Sequence, residues 1–184
     1  MSASLPTLRP ETAALFVVDM QDRMLAAIES ADACVEMSRR MIEAAKILDV
    51  PTIATEQYPA GLGKTHETIQ NSLGSALIFE KTRFSGCVEE VVSKLRELDR
   101  SLVIVVGVEA HVCIQQTVLD LLRLGFTPYV CADGVGSRRQ LDSAAGLERM
   151  RQAGAVITTT ESVIFELLGD AANPAFKQIH AIVK

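Results

Sequence analysis

"SLVIVVGVEAHVCIQQTVLDLLRLG", Ser101 to Gly125, carries the plan of the whole chain. Ser101 to Val108 is almost unbroken aliphatic sequence, the pattern of a strand covered on both faces. From Val112 the apolar residues recur at helical spacing until Gly125 stops the run. Only a short link separates strand from helix, and Cys113 sits just inside the helix start. The cysteine is either core filler or a nucleophile placed for chemistry.

The same alternation repeats on both sides. Upstream, "CVEEVVSKLRELD" (Cys87 to Asp99) reads as a helix with Val88, Val91, Val92, Leu95 and Leu98 on one face. "SALIFEK" before it, ending at Lys81, reads as a strand, and "PTIATE" from Pro51 as another; a Gly-rich polar loop, "QYPAGLGKTHE", follows Glu56. Asp32 to Val50 reads as a helix with Asp32 as N-cap and Cys34, Met37, Met41, Ala44, Ala45 and Leu48 on its apolar stripe. "AALFVVDM" (Ala13 to Met20) is a central strand ending in an aspartate. Downstream, "TPYVCADG" reads as a strand running into an Asp-Gly turn. Then come a helix over about Gln140 to Ala153, a last strand "GAVITTT" and two short helices. No repeat, low-complexity tract or linker interrupts the order. The expectation is one α/β domain over 1–184, core about 13–182, with a parallel sheet and helices on both faces.

Composition narrows the function. Hydrophobic residues make up 48% of the 184 residues, aromatics only 4%, and Trp is absent, so the core is built from Val, Leu, Ile, Ala and Met. A net charge of -5 argues against a phosphate-backbone partner, and Arg138-Arg139, the densest basic spot, reads as a solvated loop. No apolar run approaches the roughly 20 residues of a membrane span. "MSASLPTLRPET" lacks the apolar segment of a signal peptide, so a cytoplasmic protein with no nucleic-acid or membrane partner is expected. Cys34, Cys87, Cys113 and Cys131 show no paired metal-ligand spacing and are expected to remain thiols.

In open parallel sheets, ligands bind beyond the carboxyl ends of the strands, at the topological switch point. The strand ends offer Asp19, then Thr55-Glu56-Gln57, Lys81, Gly107 to Cys113, and Asp133. Cys34 and Cys131 fit core positions. Cys87 and Cys113 both lie at helix starts, where a thiol pKa is lowered, but Glu89 and Glu90 oppose a thiolate at Cys87. A carboxylate ending an apolar strand, as Asp19 does, needs a charge partner or a cleft. Lys81 is a candidate partner. His111 stands two residues from Cys113, a spacing that does not face it in a regular helix. "GLGKT" lacks the spacing of a phosphate loop.

Three motifs in order, "LFVVDMQ", "EKTRFS" and "GVEAHVCIQQT", make the chain resemble the isochorismatase-like cysteine hydrolases. "TEQYPAGLGKT", "TVLDLL" and "MRQAGAVITTTESVIFELLGDAANPAFKQI" resemble the isochorismatase domain-containing subgroup, so the likeness runs from about Leu15 to Ile182. The resemblance implies a three-layer α/β/α sandwich with a six-stranded parallel sheet and an Asp19-Lys81-Cys113 triad. It also implies a cis peptide at Val108–Glu109, with the backbone N–H groups of Glu109 and Cys113 forming an oxyanion hole. Glu56, Gln57 and Tyr58 would line the substrate pocket. Nicotinamidases of this superfamily hold a metal through histidines just after the second strand; here no histidine occurs until His66, so no metal or other cofactor is expected. Retention of Cys113 favours acyl chemistry over isochorismate cleavage. The expected activity is hydrolysis of a C–N, amide-type bond in a small molecule. The alternative is a catalytically idle binding or regulatory protein on the same fold. Relatives generally form homo-oligomers, so a dimer or tetramer is expected, with "SVIFELL" as a candidate interface that core burial explains equally well.

Overall fold

Strand β1 (Ala13–Val18) and strand β4 (Leu102–Val108) are buried at every residue. They pair in parallel, from Ala13 opposite Leu102 to Val18 opposite Gly107. The structure, a computed structural model, describes residues 7–184; the first half of the segment read for a leader lies outside the described residues. Strands β2 (Thr52–Gln57), β3 (Leu77–Lys81), β5 (Thr127–Gly136) and β6 (Val156–Thr158) complete a six-stranded sheet. Its order is β3-β2-β1-β4-β5-β6 and every pairing is parallel. The chain builds outward from β1 to β3, then crosses back to place β4 on the other side of β1. The switch point therefore lies between β1 and β4, where the polar strand ends were expected to gather.

Alternate residues of β1 and β4 feed two cores. Leu15, Val17, Ile104 and Val106 pack under α2 (Ala31–Ile47), α8 (Thr160–Leu168) and α9 (Phe176–Val183). Phe16, Val18, Val103 and Val105 pack under α5 (Glu89–Glu97), α6 (Gln115–Arg123) and α7 (Gln140–Gln152). The parallel sheet with helices on both faces expected from the alternation, and the three-layer sandwich implied by the resemblance, are the observed fold. "SVIFELL" is α8, and its Val163, Ile164, Leu167 and Leu168 belong to the core.

Four local features depart from the sequence reading. Asp32 lies inside the first turn of α2, with Ser30 at the cap. The polar loop after β2 holds a one-turn helix, α3 (Pro59–Leu62), and is followed by an unread helix, α4 (Glu67–Leu73), capped by the His66 side chain. Asp133-Gly134 is no turn: β5 runs through it to Gly136, and the register against β4 shifts between Val105 and Gly107. The helix after β4 does not start as α. Ala110–Ile114 forms a π-turn, and α6 begins only at Gln115. A single helical turn, α1 (Asp22–Leu25), follows β1.

Gly107 is required where β4 meets β1. Its φ is +127°, and a Cβ there would stand 2.0 Å from the Val18 carbonyl oxygen. Only glycine lets the two strands approach this closely.

Candidate active site

β1 ends by turning sharply. Asp19 has φ 54°, the left-handed region that aspartate tolerates better than most residues, and its N–H donates to Thr55 O at 3.0 Å. Its carboxylate is fully buried. Oδ1 accepts from Thr55 Oγ1 at 2.8 Å, and Oδ2 accepts from Lys81 Nζ at 2.6 Å, with neither side chain exposed. The buried strand-end carboxylate therefore has the charge partner that its position demanded. Lys81 arrives from the end of β3, two strands away from β1.

Cys113 arrives from the other side of the switch point. It lies in the π-turn and is 2% exposed, with its thiol close enough to the Asp19 carboxylate for each to perturb the other. The Glu109 carbonyl accepts from Val112 N at 3.1 Å and Ile114 N at 3.2 Å, the amides on either side of Cys113. Thr117 fastens the turn: its hydroxyl donates to Cys113 O at 2.6 Å and accepts from Gly86 N at 2.7 Å. The Val108–Glu109 peptide is cis. Asp19, Lys81 and Cys113, widely separated in sequence, thus form one contiguous buried cluster.

The thiol does not behave as its place at a helix start suggested. Burial pushes Cys113 up to about 12; the negative charge of Asp19 adds to this, and Lys81 opposes it. Desolvation therefore outweighs any benefit from the helix, and the resting sulfur carries its proton. Burial also raises the Asp19 carboxyl, against the pull of Lys81, Thr55 and Cys113. Cys34, Cys87 and Cys131 are likewise pushed up to about 12, burial being the largest cause in each. Cys113 differs from them in standing beside a fully buried carboxylate–amine ion pair, Asp19 with Lys81.

The remaining candidates separate clearly. Glu56 is buried, and its Oε1 accepts from Thr65 N at 2.7 Å and Thr65 Oγ1 at 2.8 Å. Gln57 is buried with its amide on Lys81 and on the Thr82 carbonyl. Tyr58 is 55% exposed and borders a groove of about 450 Å³ with Pro59, Glu80, Lys81, Thr82 and Val88. Glu109 Oε2 accepts from the backbone N and the Nε of Arg138, at 2.9 and 3.1 Å. The backbone at His111 is irregular, yet its ring turns to Ser137 Oγ at 3.0 Å and toward Asp142. Asp133 Oδ1 accepts from Thr160 N at 2.8 Å and so holds the start of α8. Gln21 escaped sequence reading. It is fully buried two residues past Asp19, and a polar residue so close to an apolar strand was the available signal. Among the described residues, no group of three or more His, Cys, Asp or Glu is placed to hold a metal, and no helix is long and apolar enough to cross a membrane.

These features define a class: a doubly wound α/β/α protein with a buried thiol, carboxylate and amine in contact at its switch point. Residues 13–162 match the isochorismatase domain, and the chain belongs to the isochorismatase family. It is similar to isochorismatase family protein 1B of Dictyostelium discoideum, 42% identical over 189 residues, covering 100% of this chain and 92% of that protein. It is also 42% identical to isochorismatase domain-containing protein 1 of Salmo salar, over 98% of this chain but 64% of that longer protein. The solved structure of the MAR1 ribonuclease from Caenorhabditis elegans is 41% identical and superimposes with a TM-score of 0.93, covering 97% of this chain and 92% of that one.

Proposed function

We propose that the chain is a cysteine hydrolase that cleaves a C–N, amide-type bond of a small molecule through a thioester on Cys113. The observation that carries this reading is the buried Lys81–Asp19 ion pair at 2.6 Å at the end of β1, with the buried Cys113 brought beside it by the turn after β4. Asp19 takes the thiol proton, and the sulfur forms a bond to the substrate carbonyl carbon. The backbone N–H groups of Glu109 and Cys113 receive the oxyanion; a donor of this kind is worth about 10²–10³ in rate. As the oxyanion collapses, the C–N bond breaks and Asp19 returns its proton to the leaving amine. Asp19 then accepts a proton from water, whose oxygen attacks the thioester carbon. The acid departs, and the sulfur recovers its proton. Lys81 offsets negative charge throughout.

The nematode neighbour is described as a ribonuclease. For this chain, the net charge of -5 supports a small neutral or charged substrate rather than an RNA backbone. Tyr58, bordering the groove beside Lys81, is the proposed substrate contact. A homo-oligomer belongs to the same proposal and is read by light scattering of the purified protein.

One observation favours a second reading. Cys113 is only 2% exposed, as expected of a retired nucleophile in a binding or regulatory protein. Screening a panel of small amides for released amine, with Cys113→Ala alongside, separates the two. Turnover by the native chain, absent in the variant, together with an acyl adduct on Cys113 by mass spectrometry, supports the hydrolase. Equal turnover by Cys113→Ala sinks the mechanism.

A further inference from the structure

The Lys81 ammonium has three N–H groups. Four protein oxygens surround it: Asp19 Oδ2 and Gln57 Oε1 at 2.6 Å, and the carbonyls of Arg83 and Phe84 at 3.1 Å. Every donor is already satisfied by the protein, inside a site where the side chain has no exposure. The two shortest contacts are the two side chains, so Asp19 and Gln57 fix where the charge sits.

Gln57 is itself held from both ends. Its Nε2 donates to the Thr82 carbonyl at 2.8 Å, which leaves Oε1 as the end that faces the ammonium. Its backbone is gripped by Gln21, whose Oε1 accepts from Gln57 N at 2.7 Å and whose Nε2 donates to Gln57 O at 3.0 Å. The same Gln21 Nε2 donates to Gly63 O at 2.7 Å, tying the loop after β2 into the string. An amide is the only side chain of this length that donates to a carbonyl with one end and accepts from an ammonium with the other. Gln57 was read from sequence as a substrate contact, yet both ends of its amide are occupied by protein.

We infer that Gln57 is a positioning residue for the reaction proposed above. Its amide pins the Lys81 ammonium on Asp19, so the amine acts on the carboxylate alone and hands no proton to the substrate. All proton transfer then falls to Asp19. The inference rests on the hydrolase reading for its consequence and on the four contacts for its geometry. The charged or titratable groups facing the reacting pair are Lys81 and Cys113 around Asp19, and Asp19, Lys81 and Glu109 around Cys113.

The test is the pH profile of Cys113 alkylation by iodoacetamide in the full chain, followed by peptide mass spectrometry. In the native protein the rate is expected to rise through an acid limb set by Asp19 and then level off. Asp19→Asn is expected to abolish that limb. Gln57→Leu adds no charge and removes the acceptor that holds the ammonium on Asp19, and should move the limb up by about one pH unit or more. A purely structural role would lower the rate without moving the limb, and that result overturns the inference while leaving the hydrolase reading intact. A native profile with no limb, or a limb that survives in Asp19→Asn, overturns the reading itself. A second measurement is read on the native chain and does not depend on whether Gln57→Leu folds. The ¹⁵N-labelled Lys81 ammonium, assigned by its loss in Lys81→Met, should give a signal protected from solvent exchange in the native chain and broadened in Gln57→Leu. Exchange as fast as that of surface lysines in the native chain overturns the inference.

Discussion

Gly107→Ala tests the junction on which the whole site hangs. Val18 and Gly107 are register partners of β1 and β4, and the candidate site residues that follow along the two strands are Asp19 and Glu109. An added Cβ would lie 2.0 Å from the Val18 carbonyl oxygen and 2.8 Å from the Val18 carbonyl carbon and nitrogen. All three are backbone atoms in a fully buried strand, so no side-chain rotation relieves the clash. Overpacking of this kind costs about 1–3 kcal/mol, and a non-glycine residue at this positive φ about 1–3 kcal/mol more. The expected loss is therefore about 2–6 kcal/mol. Against a total stability of about 5–15 kcal/mol this is a large fraction. For a chain of this length it corresponds to a fall in Tm of about 4–24 °C. Urea unfolding at fixed protein concentration measures it, with Cys113 alkylation read on the same samples. If the strands part to admit the methyl, Asp19 and Cys113 separate and the alkylation rate falls even where the protein stays folded. A loss below about 1 kcal/mol with unchanged alkylation would refute the close approach and the argument that glycine is required there.

Other expectations follow from the same structure. Asp19→Asn should abolish turnover without destabilising the fold at neutral pH. The Asp19 carboxyl is raised from 3.8 by burial, so its contribution to stability is present below 3.8 and lost as pH rises through the raised folded value. Denaturation midpoints of the variant should match the native chain near pH 3 and equal or exceed it above the Asp19 transition. All four thiols are pushed up to about 12, so none should titrate as an exposed cysteine between pH 7 and about 9. Under native conditions, iodoacetamide should label Cys113 first, and Cys34, Cys87 and Cys131 only after denaturant is added. Asp133→Ala removes the acceptor for Thr160 N and should cost about 1 kcal/mol in urea unfolding while leaving Cys113 alkylation unchanged. A fall in alkylation there would return Asp133 to the site.

The sequence made the architecture readable because buried parallel strands leave continuous aliphatic runs. "AALFVV" and "LVIVVGV" are such runs, and both are buried at every position. It also brought Asp19, Lys81 and Cys113 to one sheet edge, since a polar residue ending such a run has few other places to be. Local devices were harder to read. The π-turn at Ala110–Ile114 depends on where the Glu109 carbonyl finds its donors, and no residue type signals that spacing. Asp133-Gly134 carries the composition of a turn, but β5 continues because Asp133 is engaged by Thr160, 27 residues later. The same kind of tertiary engagement gives the side chains of Glu56 and Gln57 partners on Thr65, Lys81 and Thr82 that residue type did not announce. Residue type gave the chemistry available, and long-range partners decided its use.

The raised thiol is compatible with a nucleophile for a reason specific to this cluster. Two of the causes that hold the Cys113 proton in place belong to Asp19: its negative charge and its hydrogen bond to the thiol. When the proton crosses from sulfur to that carboxylate, the charge vanishes and the hydrogen bond reverses to favour the thiolate. Lys81, fixed at 2.6 Å from Asp19 Oδ2, then faces a negative sulfur in place of a negative carboxylate. Net charge in the dry pocket is unchanged by the transfer. Releasing the same proton to water would instead leave Asp19 and the sulfur both negative inside the protein, the case that burial penalises most. Burial therefore suppresses the free thiolate and permits the paired one. Cys113 should accordingly be quiet in the resting protein and reactive only through Asp19. An alkylation rate that rises simply with hydroxide, with no dependence on Asp19, would contradict that coupling.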